Sequence, residues 1–212
     1  MPRLTYFSSR GLAEPIRLLL AEADVSYQAV HLGTWNPAGQ PEDFTRLVAS
    51  GRLPFGAVPL WEEDDGLTLV QSDAILRHIA RTRGLYGEGP AEAARADMVM
   101  EGVKDVRAEL QKLRHADAES RESLREALRA YTLPRWMRRF AALVQEGGFF
   151  GPRLTVADLV FFHLAEVLHD NELDAWRRQP ALVELVGRVA ERPLVRRYLH
   201  SGHRFPAQPY PR

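Results

Sequence analysis

The sequence predicts a mixed α/β domain followed by an all-α domain, and three observations carry that reading. Residues 1–83 alternate short β-like and helical pieces in the order β-α-β, then β-β-α. Residues 84–90, Gly-Leu-Tyr-Gly-Glu-Gly-Pro, read as a linker. Beyond them no strand signal of comparable strength appears, and long helical periodicities take over. The expected division is therefore 1–83, a linker at 84–90, and 91–212.

The elements follow in order. Residues 4–7 are short and aromatic, as strands are. Residues 14–23 place Ile16, Leu19, Leu20 and Ala23 at helical spacing, and Pro15 is admissible in a first turn, where its missing N–H costs nothing. Residues 27–32 form a second strand. Residues 33–56 read as one long loop, punctuated by Gly33, Pro37, Gly39, Pro41, Gly51, Pro54 and Gly56. A loop of that length in a compact domain tends to be functional. Residues 57–62 and 67–70 flank Glu63-Asp64-Asp65-Gly66, a hairpin signal. Ser72 opens a helix to Thr82 with Ile75, Leu76 and Ile79 on one face. A strand–helix–strand unit prefers a parallel pair and the hairpin adds antiparallel strands, giving one mixed four-stranded sheet. In the second part, 91–113 and 121–144 are long amphipathic helices. Thr155 to Asp158 has the form of a capping box. The residues after it, including Leu159, Val160, Phe161, Phe162 and Leu164, are apolar on most faces, as in a helix buried mid-domain. Residues 180–191 and 194–200 are two more helices, and the tail from Ser201, with Pro206, Pro209 and Pro211, is irregular.

Composition excludes several functions. The 212 residues hold 28 basic and 28 acidic side chains, 45% hydrophobic residues and no cysteine. The length suffices for a substantial core. The balanced charge argues against a nucleic-acid or anionic-membrane partner. The arginine-rich stretch 121–139 is interleaved with Glu122 and Glu126 behind Glu119, the pattern of a solvated face. Without cysteine there is no disulfide, no thiolate metal site and no protein-thiol nucleophile. The N-terminus lacks the basic and apolar regions of a signal peptide. The most apolar run, 154–168, holds Asp158, His163 and Glu166 and is too short to span a bilayer. The expectation is a soluble, cytoplasmic protein without a metal.

Three places invite chemistry. Pro59 falls inside residues 57–62, so that strand is an edge, is bulged, or carries a cis bond. The Val58 backbone is then free to pair with an extended peptide; alternatively, Pro59 only guards an edge. Gln71-Ser72-Asp73 stands where a strand turns into a helix. Ser72 is a natural N-cap, and the exposed N–H groups there attract a carboxylate. Tyr6 ends the first strand beside the Gly-containing turn Phe7-Ser8-Ser9-Arg10-Gly11. A tyrosine hydroxyl, with an ordinary pKa near 10, donates a hydrogen bond to an anion at neutral pH; a strand-end tyrosine is also a common packing residue.

These signals fall in the order of one known family. Tyr-Phe-x-x-Arg-Gly-Leu-Ala at 6–13 with Ile-Arg-Leu-Leu-Leu at 16–20 resembles the mu class of the cytosolic glutathione transferases. Residues 67–78, Leu-Thr-Leu-Val-Gln-Ser-Asp-Ala-Ile-Leu-Arg-His, and Gly84-Leu85-Tyr86-Gly87 resemble the pi class. Leu53-Pro54-Phe55-Gly56-Ala57-Val58-Pro59 is similar to the sigma class, and residues 97–105 to the first helix of the family's second domain. The class signals are mixed, and no class is assigned.

The resemblance implies the glutathione transferase fold, a thioredoxin-like N-terminal domain followed by an all-helical C-terminal domain, and a homodimer. It also implies glutathione as co-substrate and a small hydrophobic electrophile as second substrate. Tyr6 would donate its hydroxyl to the glutathione sulfur. Pro59 would be the family's cis-proline, with Val58 pairing to the cysteinyl backbone. Gln71 and Ser72 would hold the γ-glutamyl carboxylate, and Asp105 would reach the γ-glutamyl amine in the partner subunit. Trp35 would lie near the glycyl end, with Phe44 as the alternative. Leu12 would line the thiol side, and Phe7, Leu12, His115 and Phe205 the electrophile pocket. His115 stands where the pi and mu classes put a tyrosine, and is either a weak proton donor or a surface residue. The loop lacks the lysine that grips the glycyl carboxylate in the pi and sigma classes, since no lysine precedes Lys104. Arg52 or Arg46 would replace it, with Arg52 preferred for lying nearer Val58; an arginine can hold a carboxylate bidentately. The same resemblance covers a sigma-like isomerase and a non-catalytic glutathione- or hydrophobe-binding protein.

Overall fold

The computed structural model describes residues 1–36 and 39–210. Pro37 and Pro211, two of the prolines read as loop and tail markers, lie outside them. Strands β1 (Arg3–Tyr6), β2 (Gln28–His31), β3 (Leu60–Glu62) and β4 (Thr68–Val70) form one sheet in the order β2-β1-β3-β4. β1 and β2 are parallel, joined through helix α1 (Glu14–Glu22), and the other two pairs are antiparallel. This is the mixed sheet expected from the element order.

The 33–56 segment is not all loop. Helix α2 (Glu42–Ala49) occupies its middle, burying Phe44 and Leu47. Glycines and prolines on both sides masked the helix. Its own signals are two apolar residues three apart and Glu42 and Asp43 in the first turn, where they complement the helix dipole.

Two local expectations are corrected. β3 begins at Leu60, so Pro59 precedes the strand, and β3 lies between β1 and β4 rather than at an edge. The Val58–Pro59 peptide is cis. Ser72 is already the first residue of α3 (Ser72–Thr82), not its N-cap. Gln71 occupies the cap position with φ 71°, making the strand-to-helix turn in a single left-handed residue.

From Gly89 the structure is helical: α4 (Gly89–His115), α5 (Ala118–Ala127), α6 (Leu133–Leu143), α7 (Val156–Asp170), α8 (Pro180–Ala190) and α9 (Pro193–Leu199). The single helix expected over 121–144 is broken by a π-helical turn at Leu128–Thr132. The physical cause is Pro134, which offers no N–H and whose ring crowds the carbonyl four residues earlier. The 84–90 stretch is packed rather than loose. Tyr86 is buried and donates to Asp97 at 2.6 Å, and Val156 N–H donates to the Leu85 carbonyl at 2.8 Å.

α1 is the hub. Ile16, Leu18, Leu19 and Leu20 are fully buried, with α3 packed against the helix as well as α7 and α9. Burying Glu14 and Arg17 there requires partners. Glu14 pairs with Arg17 at 3.2 Å and Arg204 at 2.8 Å and accepts from the Tyr198 hydroxyl at 3.0 Å. Arg204 also grips Glu166 of α7 at 2.6 Å. The irregular tail is therefore fastened onto α1 and α7. Among the described residues no helix is long and apolar enough to cross a membrane.

Candidate active site

The strand register gathers the site at one end of the sheet. Thr5 pairs with Leu60, and Leu60 with Val70. Tyr6, Pro59 and Gln71 are each one residue further along, so they stand in a row at the C-terminal ends of β1 and β4 and the N-terminal end of β3. Tyr6 meets Pro59 and Gln71, both more than fifty positions further along the sequence, only because the hairpin folds back on β1.

Tyr6 is buried, with 8% of its surface exposed. Its hydroxyl oxygen accepts a hydrogen bond from Leu12 N–H at 3.0 Å. With that acceptor role filled by the backbone, the phenol O–H remains free to donate. The ring meets Phe7 edge-on at 5.6 Å, and the Arg17 guanidinium lies 5.9 Å from its centroid. The turn Gly11–Ala13 that presents Leu12 depends on Gly11, whose φ is +42°. A Cβ there would stand 2.5 Å from the Tyr6 hydroxyl. Gly11→Ala is therefore expected to displace the phenol, lower turnover at least about tenfold and cost about 1–3 kcal/mol of stability. Steady-state rates and urea unfolding check both effects; a variant with wild-type turnover would show that the phenol tolerates displacement.

Phe7 also packs on Trp35 at 5.1 Å and Phe44 at 5.2 Å. Phe44 is 5% exposed and Trp35 39%, so Phe44 supports the cluster from beneath and Trp35 presents a surface. Leu12 is likewise partly exposed. Among the described residues the Val58 backbone groups take no backbone partner, and the side chains of Gln71 and Ser72 take no hydrogen bond. Asp73, in the first turn of α3, is half-buried.

Other expected residues sit differently. Arg52 pairs with Glu62 of β3, which Arg3 also approaches at 3.4 Å. Arg46 pairs with Asp43 at 2.5 Å and Glu42 at 3.4 Å on the exposed face of α2. Each guanidinium is engaged by a protein carboxylate. Asp105 is exposed on α4, and His115 is its exposed last residue. The Phe205 ring lies 5.0 Å from the Arg17 guanidinium and meets His31 edge-on at 5.2 Å, and its carbonyl accepts from Arg10 Nε at 2.8 Å.

Two groups escaped the sequence reading. Arg107 of α4 is half-buried; burial depresses its pKa, while Asp73, Tyr210 and Tyr6 lie within its electrostatic reach. His163 of α7 is buried, and its Nδ1 has no hydrogen-bond partner. Nothing in the local sequence singles out either one, because both arrive from the helical part of the chain.

Comparison with known proteins decides the family. Residues 2–81 match the family model "Glutathione S-transferase, N-terminal domain", and residues 104–202 match "Glutathione S-transferase, C-terminal domain". The chain is 35% identical over 206 residues to glutathione S-transferase A3 of Mus musculus, covering 95% of this chain and 89% of that protein. The chain belongs to the glutathione S-transferase family. Glutathione S-transferase A3 of Homo sapiens is 32% identical, with 95% and 89% coverage. A solved pi-class glutathione S-transferase of Onchocerca volvulus matches with TM-score 0.80 at 30% identity, over 93% of this chain and 91% of that one. The solved prostaglandin synthase D of Nilaparvata lugens matches with TM-score 0.83 at 25% identity, over 98% and 100%. This glutathione transferase thus has the thioredoxin-like plus all-helical fold that its motifs implied. Relatives named as alpha type, such as glutathione S-transferase alpha-3 of Rattus norvegicus at 35% identity, were not among the classes its fragments resembled. Its co-substrate is glutathione, and no group of three or more His, Cys, Asp or Glu among the described residues is placed to hold a metal.

Proposed function

We propose that this transferase binds glutathione across the Tyr6–Pro59–Gln71 end of the sheet and stabilises the glutathione thiolate through the Tyr6 hydroxyl. The observation that carries this reading is the Leu12 N–H to Tyr6 hydroxyl bond, which orients the phenol and leaves its proton to donate. A free thiol has a pKa of about 8.5, so only a few per cent is ionised at pH 7. Bringing it to about 6.5 requires roughly 2.7 kcal/mol of preferential thiolate binding. One hydrogen bond to a charged acceptor contributes about 1.5–3 kcal/mol, so Tyr6 supplies most of the shift. The thiolate then attacks an electrophilic carbon: an S–C bond forms, and either a leaving group departs with its electron pair or a conjugated π pair takes up a proton.

In this reading Val58 pairs with the cysteinyl backbone beside cis-Pro59, and Gln71, Ser72 and the N-terminus of α3 hold the γ-glutamyl carboxylate. Trp35 lines the glycyl end. Arg52 holds the glycyl carboxylate by exchanging it for Glu62. Phe7 and Leu12 line the electrophile side, with His115 and Phe205 at its margin. The protein acts in the cytoplasm as a homodimer in which the exposed Asp105 reaches the partner's glutathione. Asp105→Ala is then expected to weaken glutathione binding about three- to thirtyfold, the loss of one exposed charge-assisted bond. Calorimetry alongside sedimentation checks it; a monomer of unchanged affinity would remove the cross-subunit role.

The likeness to a prostaglandin synthase favours a second reading, in which the same thiolate drives an isomerisation. Retention on immobilised glutathione followed by an electrophile panel separates the possibilities. A stable conjugate supports the transferase, isomerised product with glutathione returned supports the isomerase, and retention without turnover leaves only a binding protein.

A further inference from the structure

The turn that leads from Tyr6 into α1 has little stiffness of its own. Gly11 is left-handed, with φ +42°. Pro15 has no backbone N–H, so α1 offers no backbone donor to the Gly11 carbonyl four residues earlier. A buried side chain braces the turn instead. Arg17 of α1 is 5% exposed. Its Nη1 donates to the Ser9 carbonyl at 2.9 Å and, more loosely, to the Arg10 carbonyl at 3.4 Å. The same nitrogen pairs with Glu14 at 3.2 Å. Glu14 is fully buried and is held in turn by Arg204 at 2.8 Å and the Tyr198 hydroxyl at 3.0 Å. A buried guanidinium with a carboxylate partner cannot swing away without stranding both charges, so the brace is fixed in place.

The Arg17 guanidinium carbon also lies 5.9 Å from the centroid of the Tyr6 ring and 5.0 Å from that of Phe205. Arg17 therefore reaches both partners of the bond that orients the phenol. One is the ring whose oxygen accepts; the other is the turn whose Leu12 N–H donates at 3.0 Å. We propose that Arg17 is a positioning residue for Tyr6, holding the Ser9 and Arg10 carbonyls so that the Leu12 N–H stays aimed at the phenol oxygen. A hydrogen bond weakens steeply once its angle is lost. A relaxed turn would carry the Leu12 N–H off the phenol and leave the Tyr6 O–H without a fixed direction toward the sulfur. Arg17 thereby takes part in thiolate formation without touching glutathione. The inference rests on the Tyr6 reading above.

The test compares Tyr6→Phe, Arg17→Met, Arg17→Lys and the double variant Tyr6→Phe/Arg17→Met. The bound thiol pKa is read by ultraviolet difference spectroscopy, with kcat and the KM for glutathione. Arg17→Met is expected to raise the bound thiol pKa by about 0.5–1 unit and, as the ionised fraction falls, to lower kcat at pH 7 about two- to fourfold, with KM changed less than about twofold. Arg17→Lys keeps the charge beside Glu14 on a side chain one atom too short for Ser9, and should show at least half of that pKa shift. In the Tyr6→Phe background, Arg17→Met produces no further shift. Full recovery in Arg17→Lys, or an undiminished shift in the Tyr6→Phe background, would mean that the charge acts on the sulfur directly, and overturns this inference alone. So does a merely structural role, in which folded Arg17 variants lose unfolding temperature but keep wild-type thiol pKa and kcat while Tyr6→Phe is impaired. NMR of the unaltered protein needs no variant to fold: a scalar coupling across the hydrogen bond from Arg17 Nη1 to the Ser9 carbonyl carbon is expected, and a freely rotating guanidinium overturns the inference. A fully active Tyr6→Phe overturns the Tyr6 reading and this inference with it.

Discussion

Replacing Tyr6 with phenylalanine is expected to lower turnover at pH 7 about ten- to a hundredfold while leaving glutathione affinity nearly unchanged. The substitution keeps the ring, and with it the edge contact to Phe7 and the packing under Arg17. It removes the oxygen that accepts from Leu12 N–H and that, in the proposed role, donates to the sulfur. The donor to the sulfur is worth more to the thiolate than to the thiol, so its loss falls on kcat rather than on binding. The bound thiol pKa should accordingly return most of the way from about 6.5 toward 8.5. Stopped-flow rates across pH 5–9 and thiolate absorbance measure the two effects independently. Unchanged turnover would pass the role to the nearby hydroxyls of Ser8 or Ser9.

Asp158→Ala is expected to destabilise the fold by about 3–5 kcal/mol, because it strands two buried backbone donors. Asp158 is fully buried; it accepts from Phe150 N–H at 2.8 Å, Thr155 N–H at 2.7 Å and the Thr155 hydroxyl at 3.1 Å. Thr155 and Asp158 form the capping box at the start of α7, so the helix that carries His163 frays with it. The pH dependence has a definite sign. Burial raises the Asp158 pKa to about 6, against an ordinary 3.8, with the three hydrogen bonds opposing it. The folded state therefore binds more protons than the unfolded state between those values. The contribution of Asp158 is full below about pH 4 and declines as pH rises through about 6. The stability gap between wild type and Asp158→Ala should be widest near pH 4 and narrow toward pH 7. Guanidinium unfolding at both pH values tests it, and a gap that widens with pH would contradict the assigned shift.

Much of this architecture was legible because it is written in local physics. Alternation and turn residues mark the four strands, and the place of Pro59 within residues 57–62 carries the cis option that the structure takes. The Thr155–Asp158 spacing announced a cap that the structure forms with both reciprocal bonds. The misses have local causes as well. α2 was hidden by flanking glycines and prolines. Ser72 lost its cap role because Gln71 makes the whole turn, a choice set by where β4 ends rather than by side-chain preference. Arg52 and Arg46 were judged by distance along the chain, which says nothing about Glu62 and Asp43 being nearer.

The sequence by itself determined the order of the four strands, the family and the tyrosine-bearing turn, because these depend on side chains within a few residues of one another. Only the tertiary structure decided which distant groups converge near that turn: Glu14 meeting Arg204, and Arg107 coming within electrostatic reach of Tyr6. Those contacts join residues as many as 190 positions apart. They follow from how α1, α4, α7 and the tail pack together, and packing geometry is a property of the whole chain that no short window of it contains.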